Sequence, residues 1–89
     1  MSDSNTTAKN TKYSLYYYDS CPFCVRVLRS LDKVNVKVEL RNIMSDSAHR
    51  SALQQATERT SVPCLRIDSG AESKWMFESM DIMSFLQSQ

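Results

Sequence analysis

The chain has 89 residues, enough for one small domain around a single core and too few for a second. Its 11 basic and 10 acidic side chains leave a net charge of +1, without the basic patch or stripe that marks nucleic-acid binding. The polar opening MSDSNTTAKNTK holds no apolar signal core and no later run approaches the ~20 apolar residues that span a bilayer, so a soluble cytoplasmic protein with neither nucleic-acid nor membrane partners is expected.

Residues 1–11 are rich in Ser, Thr, Asn and Lys and read as a disordered tail, leaving 12–89 as the domain. The continuous aromatic run KYSLYYY, Lys12 to Tyr18, suits a central strand covered on both faces, and Asp19-Ser20 ends it. Beyond Cys21 the period changes. Val25, Leu28 and Leu31, joined by Val27 and Val34, recur at helical spacing, with Pro22 at the first-turn position that proline tolerates. Val36, Val38 and Leu40 then alternate with Lys37, Glu39 and Arg41, the pattern of a half-buried strand. A second helix, capped by Asp46 or Ser47, is predicted to turn Ala52, Leu53 and Ala56 inward. Val62-Pro63 precedes a strand at Cys64–Asp68, a turn at Ser69-Gly70 and a short partner strand from Lys74 to Phe77. Ser79 is predicted to cap a last helix whose apolar face holds Ile82, Phe85 and Leu86. The order β-α-β-α-β-β-α implies a four-stranded mixed sheet with three helices, covered on both faces.

The stretch CPFC, Cys21 to Cys24, admits zinc ligation, a structural disulfide or a redox pair. Three cysteines is an odd number, against a disulfide-stapled scaffold, and zinc would need two more ligands where only Cys64 and His49 remain without paired spacing, so no metal is expected. The redox reading fits the setting. At a strand end and a helix start, Cys21 meets unpaired backbone N–H groups and the positive end of the helix dipole, which favour thiolate over thiol. Cys24 follows nearly one turn later, within disulfide reach but further inside the helix. Cys21 is therefore assigned as nucleophile and Cys24 as resolving thiol.

A strand, CPFC opening a helix, and Ser61-Val62-Pro63 before a later strand together resemble the glutaredoxins, members of the thioredoxin fold; the resemblance spans roughly residues 12 to 88. It implies a cis Pro63 against the redox pair. The C-terminal Glu78-Ser79-Met80-Asp81-Ile82 is similar to that of glutathione-S-transferase-like glutaredoxins, where the Glu-Ser pair holds the γ-glutamyl end of glutathione. A helix N-terminus suits that carboxylate. By the same resemblance the backbone of Val62 pairs with the cysteinyl part, and Arg59 supplies a cation for the glycyl carboxylate where the family's frequent lysine is replaced by Tyr18. Tyr18, near Cys21, is read either as sheet packing or as lining the glutathione groove, and Phe23 either as cover for the sulfur or as a glutathione contact. The implied activity is glutathione-dependent reduction of protein disulfides and protein–glutathione mixed disulfides by a monomer, with glutathione as cosubstrate. Its rivals are an iron-sulfur cluster carrier and a thioredoxin-like reductant fed directly by a reductase. Tyr16 and Tyr17 are read as sheet packing, His49 as a solvated surface residue, Trp75 as the hairpin's packing residue, and Cys64 as core filler set against a secondary redox site.

Overall fold

Strand β1 (Thr11–Tyr17) is an interior strand of the computed structural model, which describes residues 11–89. It begins one residue before the boundary drawn from composition; the rest of the expected tail lies outside the described residues. Ser14, Leu15 and Tyr16 are buried in succession, as an aromatic run covered on both faces requires. β2 (Val38–Asn42) pairs with β1 in parallel, β3 (Cys64–Ser69) pairs with it antiparallel on its other side, and β4 (Glu72–Met76) pairs antiparallel with β3, giving the sheet order β2-β1-β3-β4. Helices α1 (Pro22–Ser30), α2 (Ser47–Thr57) and α3 (Ser79–Gln87) complete the predicted order, with a short 3₁₀ turn at Leu31–Lys33 after α1. Gly70 opens the two-residue connection between β3 and β4 at φ 63°, the left-handed backbone that a tight hairpin needs and glycine supplies. No helix among the described residues is long and apolar enough to cross a membrane.

Two cores flank the sheet. On one face Leu15, Leu65 and Ile67 meet Val27 of α1 and Ile82 and Leu86 of α3. On the other, Tyr16 and Cys64 meet Ile43 and Leu53 of α2. Each fully buried aliphatic side chain contributes about 1.5–3 kcal/mol.

The second face is covered only in part, a departure from the expected double cover. Beyond the reach of α2 it carries the ion pairs Arg41–Glu39 at 2.7 Å and Arg66–Asp68 at 2.9 Å. The hydroxyl of buried Tyr16 accepts hydrogen bonds from Arg41 Nη1 at 2.8 Å and Arg66 Nη1 at 3.4 Å, so charged side chains take the place of a further helix there.

Other expectations need correction. β2 starts at Val38, and Leu40 is 47% exposed because β2 is, among the described residues, an edge strand with no neighbour beyond it. Ala56 is exposed; the next inward position of α2 goes to Thr57, whose hydroxyl donates to Leu53 O at 2.8 Å. Asp46, rather than Ser47, caps α2, accepting from Ala48 N at 2.9 Å. Ser79 is the first residue of α3 and Glu78 holds the cap position, without a side-chain cap bond.

Strand directions decide where a site can form. β1 and β2 end, β3 begins and β4 ends at the same edge of the sheet, as the pairs Tyr17↔Asn42, Tyr16↔Cys64 and Leu65↔Met76 require.

Candidate active site

Cys21 lies at that edge, directly after β1. Its extended backbone (φ −82°, ψ 116°) makes it the N-cap of α1, and Pro22 opens the helix where a missing N–H costs nothing. The Cys21 amide donates to Tyr18 O at 3.3 Å, and its Sγ accepts the Cys24 amide at 3.3 Å. A cysteine sulfur thus does what a serine or aspartate oxygen does at other helix starts. All three cysteines are free thiols, Cys24 fully buried and Cys21 5% exposed. Burial first, then the adjacent Cys21, push the Cys24 thiol up to about 12. The two sulfurs are therefore chemically distinct: Cys24 holds its proton at neutral pH, while Cys21 Sγ accepts the Cys24 amide.

The Cys21 thiol also points at Val62 O, 3.9 Å away, and the Val62–Pro63 bond is cis. Val62 belongs to a groove of about 230 Å³ lined by Phe23, Arg59, Ser61, Val62, Pro63, Phe77, Glu78 and Ser79. Phe23, Arg59, Val62, Glu78 and Ser79, all singled out from the sequence, meet there across more than fifty residues of chain. Two members were missed, Ser61 and Phe77. Phe77 was read as a strand residue, but β4 ends at Met76 and frees its ring to stack beneath Arg59, whose guanidinium lies 4.2 Å from the ring centroid. The groove is chemically polarised, with the Arg59 cation and the opening amides of α3 beside the Glu78 carboxylate.

Tyr18 is not in this groove. It packs beside Tyr16, Ile43 and Leu53 and lines a separate hollow with Asp19, Ser20, Asn42 and Met44, on the β2 side of Cys21. Cys64 is fully buried in the α2-side core, where burial pushes its thiol up to about 12; that is packing, not reactivity. His49 is less solvated than expected: it lies 3.6 Å from Asp46 and meets the Tyr16 ring edge-on at 6.3 Å. Trp75 packs on Tyr16 with ring centroids 5.5 Å apart. Among the described residues no three His, Cys, Asp or Glu side chains converge as metal ligands.

A dithiol at a strand-to-helix junction, faced by a cis-proline loop on a mixed four-stranded sheet, defines a protein of the thioredoxin-like fold. The chain belongs to the glutaredoxin family, whose family model matches residues 11–70. Glutaredoxin 2 of Escherichia coli strain K12 is 33% identical to it over 72 residues, 81% of this chain and 31% of that protein. The chain thus spans about a third of the length of the curated relatives it matches. Among solved structures, the thioredoxin-like protein BC3987 superposes with a TM-score of 0.66 at 29% identity, covering 84% of this chain and 100% of that one. TDR1 of Leishmania, a trimeric glutathione transferase, gives a TM-score of 0.67 at 29% identity over 85% of this chain and 17% of its own. Glutathione transferase Omega 2S of Trametes versicolor shares the fold, with a TM-score of 0.71 at 16% identity over 88% of this chain and 36% of its own.

Proposed function

We propose that the chain is a glutathione-dependent thiol–disulfide oxidoreductase acting on protein–glutathione mixed disulfides and protein disulfides, with Cys21 as nucleophile and Cys24 as resolving thiol. The observation that carries this reading is the placement of Cys21 Sγ, held 3.3 Å from the Cys24 amide and 3.9 Å from Val62 O, beside a groove whose charges match the two ends of glutathione. Arg59 would take the glycyl carboxylate, the Val62 backbone the cysteinyl unit, and Glu78 the γ-glutamyl ammonium. Ser79 and the first amides of α3 would take the γ-glutamyl carboxylate.

In the first step the Cys21 thiolate attacks the glutathionyl sulfur of the mixed disulfide. A Cys21–glutathione disulfide forms, and the substrate thiolate leaves with the electron pair and takes up a proton. A second glutathione thiolate then attacks the bound glutathionyl sulfur, releasing glutathione disulfide and restoring Cys21. Where the substrate is a protein disulfide, Cys24 loses its proton and displaces the substrate from Cys21, closing a Cys21–Cys24 disulfide that two glutathiones reduce. The high Cys24 value delays this route, so Cys21 acts first.

Glutathione-coupled reduction of a small glutathione mixed disulfide tests the proposal. Cys21→Ser should abolish turnover, and Cys24→Ser should retain a substantial part; full activity in Cys21→Ser would overturn the reading. The likeness to a thioredoxin-like protein favours a second reading, a reductant fed directly by a reductase. In that case glutathione would not sustain turnover. Reducing conditions suit three free thiols, and we propose a cytoplasmic monomer.

A further inference from the structure

We propose that the hollow on the β2 side of Cys21 is the docking site for the polypeptide of the disulfide substrate, and that it selects a basic residue next to the substrate cysteine. This rests on Cys21 being the nucleophile of the reading above. The hollow measures about 600 Å³ and is lined by Tyr18, Asp19, Ser20, Asn42 and Met44. β2 and β3 flank β1 on opposite sides, so the hollow and the groove lie on either side of the cysteine that follows β1. A disulfide substrate has two halves, and these are two recesses.

The walls of the hollow are preset. Asn42 Oδ1 accepts the amides of Met44 at 2.8 Å and Ser45 at 3.2 Å, while its Nδ2 donates to Asp19 Oδ2 at 3.4 Å. The Ile43 amide donates to Tyr17 O at 2.9 Å. One asparagine therefore ties the loop that delivers Cys21 to the loop that presents Met44. Met44 is 73% exposed, an apolar side chain held in water with no partner in the core, beside the half-buried Tyr18.

Charge identifies the occupant. Asp19 is the one charged residue among the five that line the hollow, whereas the groove carries Arg59. Glutathione, with two carboxylates and one ammonium, is repelled by Asp19 and drawn to Arg59. A polypeptide with a lysine or arginine beside its cysteine and an apolar residue next to that meets Asp19 with opposite charge and covers Met44. While Cys21 is disulfide-linked to its substrate, that segment lies against the Tyr18–Ser20 loop.

The test uses two short peptides, each with one cysteine held as a mixed disulfide with thionitrobenzoate, one flanked by Lys-Leu and one by Glu-Leu. Cys21 attacks the peptide sulfur, the S–S bond breaks, and thionitrobenzoate leaves with the electron pair and is followed by its colour. Each rate is divided by that of free glutathione with the same peptide, which removes intrinsic reactivity. Wild type should react about fivefold faster with the lysine peptide, and Asp19→Lys should reverse the order. Met44→Ser should slow both peptides about threefold and leave reduction of the hydroxyethyl–glutathione disulfide, which has no polypeptide, within twofold. Both positions are exposed and outside the two cores, and Asp19→Lys gives up only the exposed 3.4 Å bond from Asn42, so the variants should keep the fold. Equal peptide rates in wild type, or an Asp19→Lys change that moves both peptides alike, would overturn the proposal. Loss of glutathione-coupled turnover with peptide selection intact would instead overturn the cosubstrate reading and leave the hollow standing.

Discussion

The guanidinium of Arg59 lies 4.2 Å above the centroid of the Phe77 ring, so among the described residues the groove's cation is held by an aromatic face and not by a counter-carboxylate. Its charge stays available to a ligand, and the stacking limits its rotamers. Phe77→Ala should raise the KM for glutathione about threefold with kcat nearly unchanged, the size of an exposed cation–π contact. Arg59→Ala, which removes the charge itself, should raise KM about tenfold. The double variant should be little worse than Arg59→Ala alone, because the ring acts through the arginine. Steady-state kinetics in glutathione checks all three.

Two buried thiols set an alkaline limit. Burial raises Cys24 and Cys64 to about 12 in the folded chain, whereas the unfolded chain ionises its thiols near ~8.5. The folded state then binds more protons than the unfolded state above that pH, so stability is intact below ~8.5 and falls as pH rises toward 12. Each thiol contributes a slope on the order of 1 kcal/mol per pH unit. Urea unfolding of the reduced protein between pH 8 and 10 should show this loss, and Cys64→Ala should flatten it while lowering stability at pH 7 through the cavity it leaves.

Asp68 sets the acid side. Burial works against its ionisation, but hydrogen bonds from Ser73 and Arg66 outweigh it and hold the carboxyl below its usual range. A lowered folded value adds stability above the unfolded value of ~3.9, and that stability is lost as pH falls through the folded one. Asp68→Asn should therefore cost about 1 kcal/mol at pH 7, with the gap to wild type closing as pH falls below the unfolded value of ~3.9. Thermal melts across pH 2 to 7 would show whether the curves converge.

Tyr16→Phe separates packing from polarity on the half-covered face. The ring stays in its core, but the acceptor for Arg41 and Arg66 disappears. Both guanidinium groups reach water, so the loss should be about 1 kcal/mol, a drop in Tm of roughly 4–8 °C. Glutathione-coupled activity should stay at the wild-type level, since the hydroxyl faces the charged end of the sheet.

The features legible in the sequence were those set locally. CPFC follows an aromatic strand and opens a helix because proline at the first turn and a change of period impose that junction. The meeting of Phe23, Arg59, Val62, Glu78 and Ser79 followed from a family resemblance, since no local rule joins residues so far apart. The misses have a common source in sheet order. Leu40 alternates correctly, yet its strand is at the edge, where alternation no longer guarantees cover. Tyr18 lies only three residues before Cys21 but turns toward β2, away from the groove. Phe77 was hidden because one aromatic residue at a strand's end gives no sign that the strand has already stopped.

Four chain segments converge at one edge of the sheet, and this separates the reactive motif from the site around it. A synthetic peptide copying residues 17–31 would carry both cysteines and the proline, and it could be oxidised and reduced. It would lack Val62, Arg59 and the start of α3, so it would not distinguish glutathione from any other small thiol. Selectivity for the electron donor should therefore melt with the sheet: a denaturant titration that follows alkylation of Cys21, with and without glutathione, would read tertiary folding through the chemistry of one sulfur.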